Sequence, residues 1–505
     1  MKRTVTVGVE QIPSNFDMEQ PAGFRDELGA DLFQNLYDQL TSPTCRIDED
    51  GVRRIDWRRL RADLAEAWWW SDDRRTCYFR IRPGVRSAVG NELTAHDIKW
   101  GWDRAFAVRD VGKWVARVSS VRDEAAVEVV DRHIIAFHLE APNPALPLAM
   151  AQCTPSVYDT AVVAPNCTAE DPWAATYVAA NAAGFGPYTI ASRSEDEIVL
   201  RAHEGYWRGQ AAISEGRFRR YSSREVIIQA LRRGDIDLAF GLSLDEATSL
   251  RSDTSLRIAP CDTPPGVALH LDVSEPPFDN PLVRRAVALA TPYQDVIATA
   301  FLGTTRRWKS WLQPENPGYA PDEWPFDENV DEAKKLLTGA GIDGFRTTLV
   351  AQEGDSAGIA ARVIADGLAR IGIEVDIEIG QSRGRPDLVG MDKANLAPMM
   401  LRGGSGRGHR VFDPIYTIMH DFGPGRMRLI RFAYDNPDLN AALRAIADAG
   451  DDWERSVRRA QAILNADAAV IPICWSRFYV AHKKDLEGYR WYPDNRIRLY
   501  DLRWR

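Results

Sequence analysis

Strand-type and helix-type patterning alternate along the whole chain with short connections, and that alternation restricts it to layered α/β architectures. Thr4-Val5-Thr6-Val7-Gly8-Val9 reads as an opening strand. Cys77, Phe79 and Ile81 alternate with Tyr78, Arg80 and Arg82 ahead of a Pro83-Gly84 turn. Residues 127–130 and 133–139 read as a hairpin about Asp131-Arg132. Thr94-Ala95-His96-Asp97 and Ser222-Ser223-Arg224-Glu225 are capping-box sequences. Apolar residues follow each at helical spacing: Ile98, Trp102, Ala105 and Phe106 after the first, Val226, Ile227, Ala230 and Leu231 after the second. Gly234 stops the second helix, and residues 235–240 read as a strand. Val330, Ala333, Leu337 and Ala340 line one more helix face, and Val457, Ala460, Ile463 and Leu464 another. Loop-rich zones fall at 141–165, 262–281, 313–325 and 402–424, the second being a candidate domain boundary.

The 505 residues suggest about three domains. With 45% hydrophobic and 27% charged residues, the chain can bury a large core. Acidic residues (72) outnumber basic ones (63), which argues against a nucleic-acid coat or an anionic-membrane binder. No run of 18 apolar residues exists, so a transmembrane helix is excluded. Only nine basic residues are Lys, leaving 54 Arg. That skew fits either a GC-rich coding sequence or selection for planar anion recognition. The six cysteines have no CxxC spacing and support no zinc site. Cys153 and Cys167 close a Pro-rich loop and could pair, with free buried thiols the alternative. No apolar leader precedes the first strand, so the protein is cytosolic or has lost a signal peptide.

Enzyme signatures are missing: there is no HExxH, GxxxxGK[ST] or GxSxG. Gly184-Phe185-Gly186 lacks the third glycine of a dinucleotide fingerprint. Carboxylate pairs such as Asp72-Asp73 and Asp451-Asp452 read as solvated loops or helix starts. The sequence therefore implies no catalytic residue, no metal and no cofactor.

One succession of motifs resembles a known family. Residues 62–68 (ADLAEAW) precede Asp72-Asp73, then 78–85 (YFRIRPGV) and 93–99 (LTAHDIK). This block is similar to the family 5 extracellular solute-binding proteins of ABC importers, the oligopeptide-, dipeptide- and nickel-binding group. The likeness continues through Gly184-Phe185-Gly186-Pro187-Tyr188, Tyr206-Trp207-Arg208-Gly209 and residues 233–237 (RGDID). It extends through residues 276–286, Ala333-Lys334-Lys335-Leu336-Leu337, residues 460–464 and Ile471-Pro472-Ile473. The resemblance implies a two-lobed periplasmic-binding-protein fold of the cluster C type, with an extra α/β domain inserted in lobe I. Mapped onto this sequence, lobe I comprises 1–44, 183–262 and 477–505, the extra domain 45–182, and lobe II 263–476. Cys261 and Cys474 then fall at the two crossovers, where a disulfide would bridge the hinge. The implied function is capture of a small solute and delivery to the transmembrane subunits of an ABC permease. The implied setting is periplasmic, or extracellular and membrane-associated. A monomer without nucleic-acid partners is expected.

The solute is approached through the Gly/Arg-rich stretch before Asp413-Pro414. Peptide-binding members place an acidic residue for the peptide ammonium in a Trp-x-x-Asp-type segment there, whereas residues 399–410 (MMLRGGSGRGHR) hold neither acid nor Trp. Arg402, Arg407, His409 and Arg410 with Gly404 and Ser405 would repel an ammonium and favour a carboxylate or phosphate. Sugar phosphodiesters of the opine type, polyaminocarboxylates or their metal chelates, and acidic oligosaccharides fit that charge. The alternatives are a solvated surface turn here, or a peptide held elsewhere. Trp114 could stack on a sugar ring or pack in a core. Gln11, Ser14 and Asn15 could hydrogen-bond the solute or simply turn the chain. A carbohydrate-active hydrolase and a peptide chaperone or sensor are the rival classes.

Overall fold

The computed structural model describes residues 3–20, 27–47, 53–108, 116, 119–151, 155–314, 316–352, 355–380, 397–402, 434–448, 452–490 and 497–505. These fall into two compact units. The first holds the described residues up to Cys261 and from Phe478 onward, and the second those from Asp262 to Arg477. The candidates Trp114, Gly404, Ser405, Arg407, His409 and Arg410, and also Cys153, lie outside the described residues.

The first unit opens with β1 (Thr4–Val9) and α1 (Glu27–Leu36), followed by the hairpin β2 (Thr41–Ile47) and β3 (Arg53–Ala62). Next come β4 (Ala65–Trp70), β5 (Thr76–Ile81), α2 (Ala95–Val108), β6 (Val127–Asp131) and β7 (Ile134–His138). These four strands make an antiparallel sheet in the order β4-β5-β7-β6. Cys77, Phe79 and Ile81 are fully buried in it against Trp102 and Phe106 of α2. Burying each large apolar side chain contributes about 1.5–3 kcal/mol. The α2 start works as its capping sequence predicts in one direction, with the Thr94 backbone N–H and Oγ1 donating to Asp97 Oδ2 at 2.7 and 2.8 Å. The other Asp97 oxygen accepts from Thr160 N and Oγ1, which fastens a short helix to α2.

Short helices α3 (Leu146–Ala149), α4 (Thr160–Val163) and α5 (Ala175–Ala180) lead to β8 (Tyr188–Arg193), β9 (Glu197–Ala202) and β10 (Glu215–Arg220). Then follow α6 (Arg224–Arg233), β11 (Leu238–Leu242), α7 (Leu244–Leu250) and β12 (Leu256–Leu271). β1 is parallel to both β10 and β11 and lies between them. Its sequence alternates, yet its last five residues are all buried, because a central parallel strand is covered on both faces. Val5, Val7 and Val9 pack in the core that holds Leu32, Phe33 and Leu36 of α1. Gly8 points the other way, where a Cβ would lie 2.7 Å from Ile236 and 3.0 Å from Ile227 in the core under α6 and α7.

Three local expectations shift. Ser223, not Ser222, caps α6, accepting from Val226 N, because the apolar face that must be buried starts at Ile227. The strand expected from Asp235 begins at Leu238, and Asp237 instead turns its carboxylate to the Thr6 backbone N–H at 2.9 Å. The loop expected from residue 262 is strand as far as Leu271, since Val267, Leu269 and Leu271 have a core to enter.

The second unit contains α8 (Pro281–Ala290), α9 (Tyr293–Ala300), α10 (Val330–Gly339), β13 (Phe345–Gln352), α11 (Asp355–Ala369), β14 (Ile373–Gly380) and β15 (Met399–Arg402). It continues with α12 (Pro437–Asp448), α13 (Trp453–Asp467) and β16 (Val470–Lys483). Its strands run in the order β14-β13-β15-β12, with β13, β14 and β15 parallel and β12 antiparallel to β15. Ala333 and Leu337 of α10 and Val457, Ala460 and Leu464 of α13 are buried as their spacing predicts. Beyond Phe478, β16 pairs with β11 in the first unit, and the short strands β17 (Leu486–Glu487) and β18 (Arg503–Trp504) close the chain.

Cys77, Cys167, Cys261 and Cys474 are free thiols, so the crossover disulfide is not formed. Each crossover thiol is taken up by its own core: Cys261 packs with the β1–α1 cluster and Cys474 with the second unit's cluster. Cys261 Sγ also lies 3.3 Å from Tyr489 Oη. The partner suggested for Cys167, Cys153, lies outside the described residues.

Candidate functional site

In the first unit, β1 leaves its sheet toward the core containing α1, whereas β10 leaves toward α6 on the opposite face. Adjacent parallel strands whose outgoing connections diverge in this way open a crevice at their carboxyl ends, the usual ligand position in open α/β sheets. The parallel register sets Val9 beside Arg220, so Glu10 and Gln11 emerge next to Tyr221, Ser222 and Arg224. Gln11 is exposed there. Arg224 Nη2 lies 2.9 Å from Glu10 Oε2, and its Nη1 donates to the Phe240 carbonyl at the end of β11 at 2.7 Å. Glu246, 4.0 Å from Arg224 Nε, is committed elsewhere. It forms a capping box with Ser243 at the start of α7. Neither Glu10 nor Arg224 carried a functional signal in the sequence, where Arg224 reads only as a helix-start residue.

Asn15 sits in the turn after this edge, with its side-chain oxygen accepting from Asp17 N at 2.7 Å. The segment beyond it is anchored by a fully buried charge network. Arg104 of α2 donates to Asp17 Oδ1 at 2.9 Å and to Glu19 Oε2 at 2.8 Å, and its Nε donates to the Trp173 carbonyl. Glu19 also accepts from Ser156 N and Oγ, both at 2.8 Å, and from Tyr158 Oη. Burial raises the Glu19 carboxyl above its ordinary value against the pull of Arg104. The donors around both acids are internal, so this cluster holds the post-β1 segment in place rather than offering itself to a solute.

A second network joins the chain's distant parts within the same unit. Asp38 accepts from Tyr206 Oη at 2.7 Å, Trp207 Nε1 at 2.8 Å and Arg208 Nη2 at 3.1 Å. The same Arg208 Nη2 lies 3.1 Å from Asp63 Oδ1. Arg82 stacks over the Trp207 ring, and Tyr500 Oη donates to the Arg208 carbonyl. The Tyr-Trp-Arg-Gly turn thus acts as a clasp.

In the second unit, the three parallel strands β13, β14 and β15 end on one edge at Gln352, Gly380 and Arg402. Arg402 is the last residue of β15, in register with Ala268 of β12. The Gly/Arg-rich stretch therefore begins where the parallel strands of this unit stop, the edge at which α/β sheets present their ligand loops. Among the described residues, no three His, Cys, Asp or Glu side chains come together as a metal ion would require.

Two α/β units, each presenting the carboxyl edge of its parallel strands, define the class: a two-lobed periplasmic-binding-protein fold. Residues 59–423 match the profile of the bacterial extracellular solute-binding proteins, family 5 Middle, and the chain belongs to that family. It is 24% identical over 507 residues to the glutathione-binding protein GsiB of Salmonella paratyphi A, covering 98% of this chain and 93% of that one. The periplasmic binding protein DppA from Helicobacter pylori, in complex with the peptide STSA, superposes with a TM-score of 0.75 at 21% identity. That match covers 99% of this chain and 98% of that one. MoaA from A. tumefaciens R10, in complex with mannopinic acid, superposes with a TM-score of 0.73 at 18% identity over the whole of both chains. As a member of this family, the chain is a solute-binding protein of an ABC importer.

Proposed function

We propose that this protein captures an anionic or zwitterionic non-peptide solute and hands it to the transmembrane subunits of its permease, working as a monomer outside the cytoplasmic membrane. One observation carries the choice of solute. The stretch that starts at Arg402, on the carboxyl edge of the second unit's parallel strands, brings three Arg, one His and four Gly and not a single acid before Asp413. Guanidinium groups bind carboxylates and phosphates bidentately, and glycine-rich backbone turns its N–H groups toward an anion. Arg402, Gly404, Ser405, Arg407, His409 and Arg410 are the proposed contacts of this lobe, and Gln11 and Asn15 those of the other, with Trp114 as an aromatic stacking surface. No bond is made or broken, so no catalytic residue, metal or cofactor is assigned.

MoaA, in complex with mannopinic acid, supports the acidic non-peptide reading. GsiB, named for glutathione, a tripeptide with two carboxylates, supports the acidic charge alone. The DppA complex with a peptide supports the second reading, an oligopeptide or dipeptide ligand. Native mass spectrometry of the purified chain, before and after unfolding and refolding, tests both. A mass excess lost on refolding and fitting an acid-bearing small molecule supports the first reading. A ladder of peptide masses refutes it.

A further inference from the structure

We infer that Arg307 holds a chloride ion inside the second unit, with the indole N–H of Trp324 as a further donor. The starting observation is a buried cation without a carboxylate. Arg307 lies beyond α9 in a segment that runs antiparallel to β16: Trp308 N donates to the Ile473 carbonyl at 3.2 Å, and Trp475 N to the Arg306 carbonyl at 3.0 Å. The Arg307 Nη1 donates to the carbonyls of Trp308 at 2.6 Å, of Ile473 at 2.8 Å and of Pro472. All three acceptors are neutral. Its Nε and Nη2 are out of contact with solvent and meet no hydrogen-bond partner among the described residues.

The surroundings add a donor and no buried anion. The guanidinium lies over the Tyr293 ring, its Cζ 3.5 Å from the ring centre and 5.9 Å from that of Trp324. Trp324 is 4% exposed, and its Nε1 likewise makes no well-formed hydrogen bond. Tyr293 stands close to both, but its hydroxyl gives its proton to the Ala288 carbonyl at 2.7 Å and offers them one neutral oxygen. The acid whose charge reaches Arg307 is Asp327, its side chain 76% exposed and paired with Lys309 at 2.8 Å. Arg307, Lys309 and Asp327 together leave one positive charge over. The face of a Tyr ring attracts a cation and cancels none of its charge, and Arg is rarely buried unless paired. Burial accordingly pulls this guanidinium below its ordinary range. A water at the free N–H groups would satisfy hydrogen bonds and leave the charge, whereas an anion answers both. The seclusion of these donors selects a small ion, because a halide sheds its hydration at lower cost than sulfate or phosphate. Chloride bound there fixes the segment around Arg307 to β16, through the guanidinium that grips Pro472 and Ile473.

Bromide stands in for chloride in the first test. Crystals of the purified chain soaked in sodium bromide should show an anomalous scattering peak beside the Arg307 guanidinium. Density there without anomalous signal, which is a water, or bromide on surface residues alone overturns the inference. The second test is thermal melting at fixed ionic strength, with gluconate replacing chloride. For a dissociation constant on the order of 1 mM, raising chloride from about 1 to about 100 mM should lift the wild-type transition by about 3 °C. Arg307→Met should abolish that rise. Trp324→Phe, which removes the indole N–H and keeps an aromatic ring, should need about tenfold more chloride for the same rise, and it serves as the readout should Arg307→Met fail to fold. A wild-type transition indifferent to chloride, or a rise retained in full by both variants, refutes the site. Either outcome leaves the reading of the transported solute untouched.

Discussion

Asp63 makes the stability of the first unit depend on pH, in a direction opposite to that of most carboxylates. It is 3% exposed and shares the Arg208 guanidinium with Asp38. Asp38 also takes Tyr206 Oη and Trp207 Nε1. Asp63 accepts a long hydrogen bond from Arg208 Nη2 at Oδ2, 3.4 Å, and one from the Ser42 side chain, while its Oδ1 has none. Burial first, and the neighbouring Asp38 second, push its carboxyl up to about 7. The folded chain therefore holds a proton that the unfolded chain releases near pH 4. The stabilisation is complete below the unfolded value and is lost as pH rises from about 4 to about 7. Three pK units correspond to at most about 4 kcal/mol. At roughly 1.5 °C per kcal/mol for a unit of this size, the transition falls by about 6 °C. Calorimetry from pH 4 to 8 on wild type and Asp63→Asn reads it directly. The Asn variant, neutral at every pH, should lose this fall and melt above wild type at pH 8. Asp38→Asn should be less stable at every pH, because Tyr206 and Trp207 lose their charged acceptor. An Asp63→Asn profile parallel to wild type would refute the reasoning.

The other buried groups yield further tests. Arg104→Met leaves Asp17 and Glu19 buried without their cation and should lower stability by about 3–5 kcal/mol in denaturant unfolding; a loss under about 1 kcal/mol contradicts the network's role. Gly186→Ala sets a Cβ 2.4 Å from the Leu36 carbonyl carbon and 2.6 Å from Tyr37 N, backbone atoms that cannot turn aside, so a sharp fall in soluble yield or melting temperature is expected. Cys474, its thiol pushed up to about 12 by burial, and the buried Cys77 and Cys261 should resist a thiol reagent in the native state and react on unfolding. Single Cys→Ser variants read by mass spectrometry would assign any labelling that contradicts this.

What could be read from the sequence follows from range. The alternation of Cys77, Phe79 and Ile81 and the 3.6-residue periods of α10 and α13 are local signals, decided by the nearest hydrophobic surface. The family motifs are readable for the same reason, as contiguous strings, and the structure supplies their physics. Tyr206-Trp207-Arg208 is the clasp on Asp38, and Gly186 is small because Leu36 and Tyr37 lie against it. Asp17 and Glu19 give no local signal, because the cation that buries them stands 87 and 85 positions away on α2.

Glu10 and Arg224 sharpen that point. Sequence supplied the neighbouring Gln11 but passed over the acid beside it, because an isolated Glu after a strand is ordinary. Only the parallel register of β1 and β10, closed across more than two hundred residues, turns Glu10 and Arg224 into one feature at a crevice. Charge at a binding edge is thus a property of strand order. The composition of one stretch can say that a basic segment favours acids. Which charges come to stand beside β1 can be read only once the strand order is known.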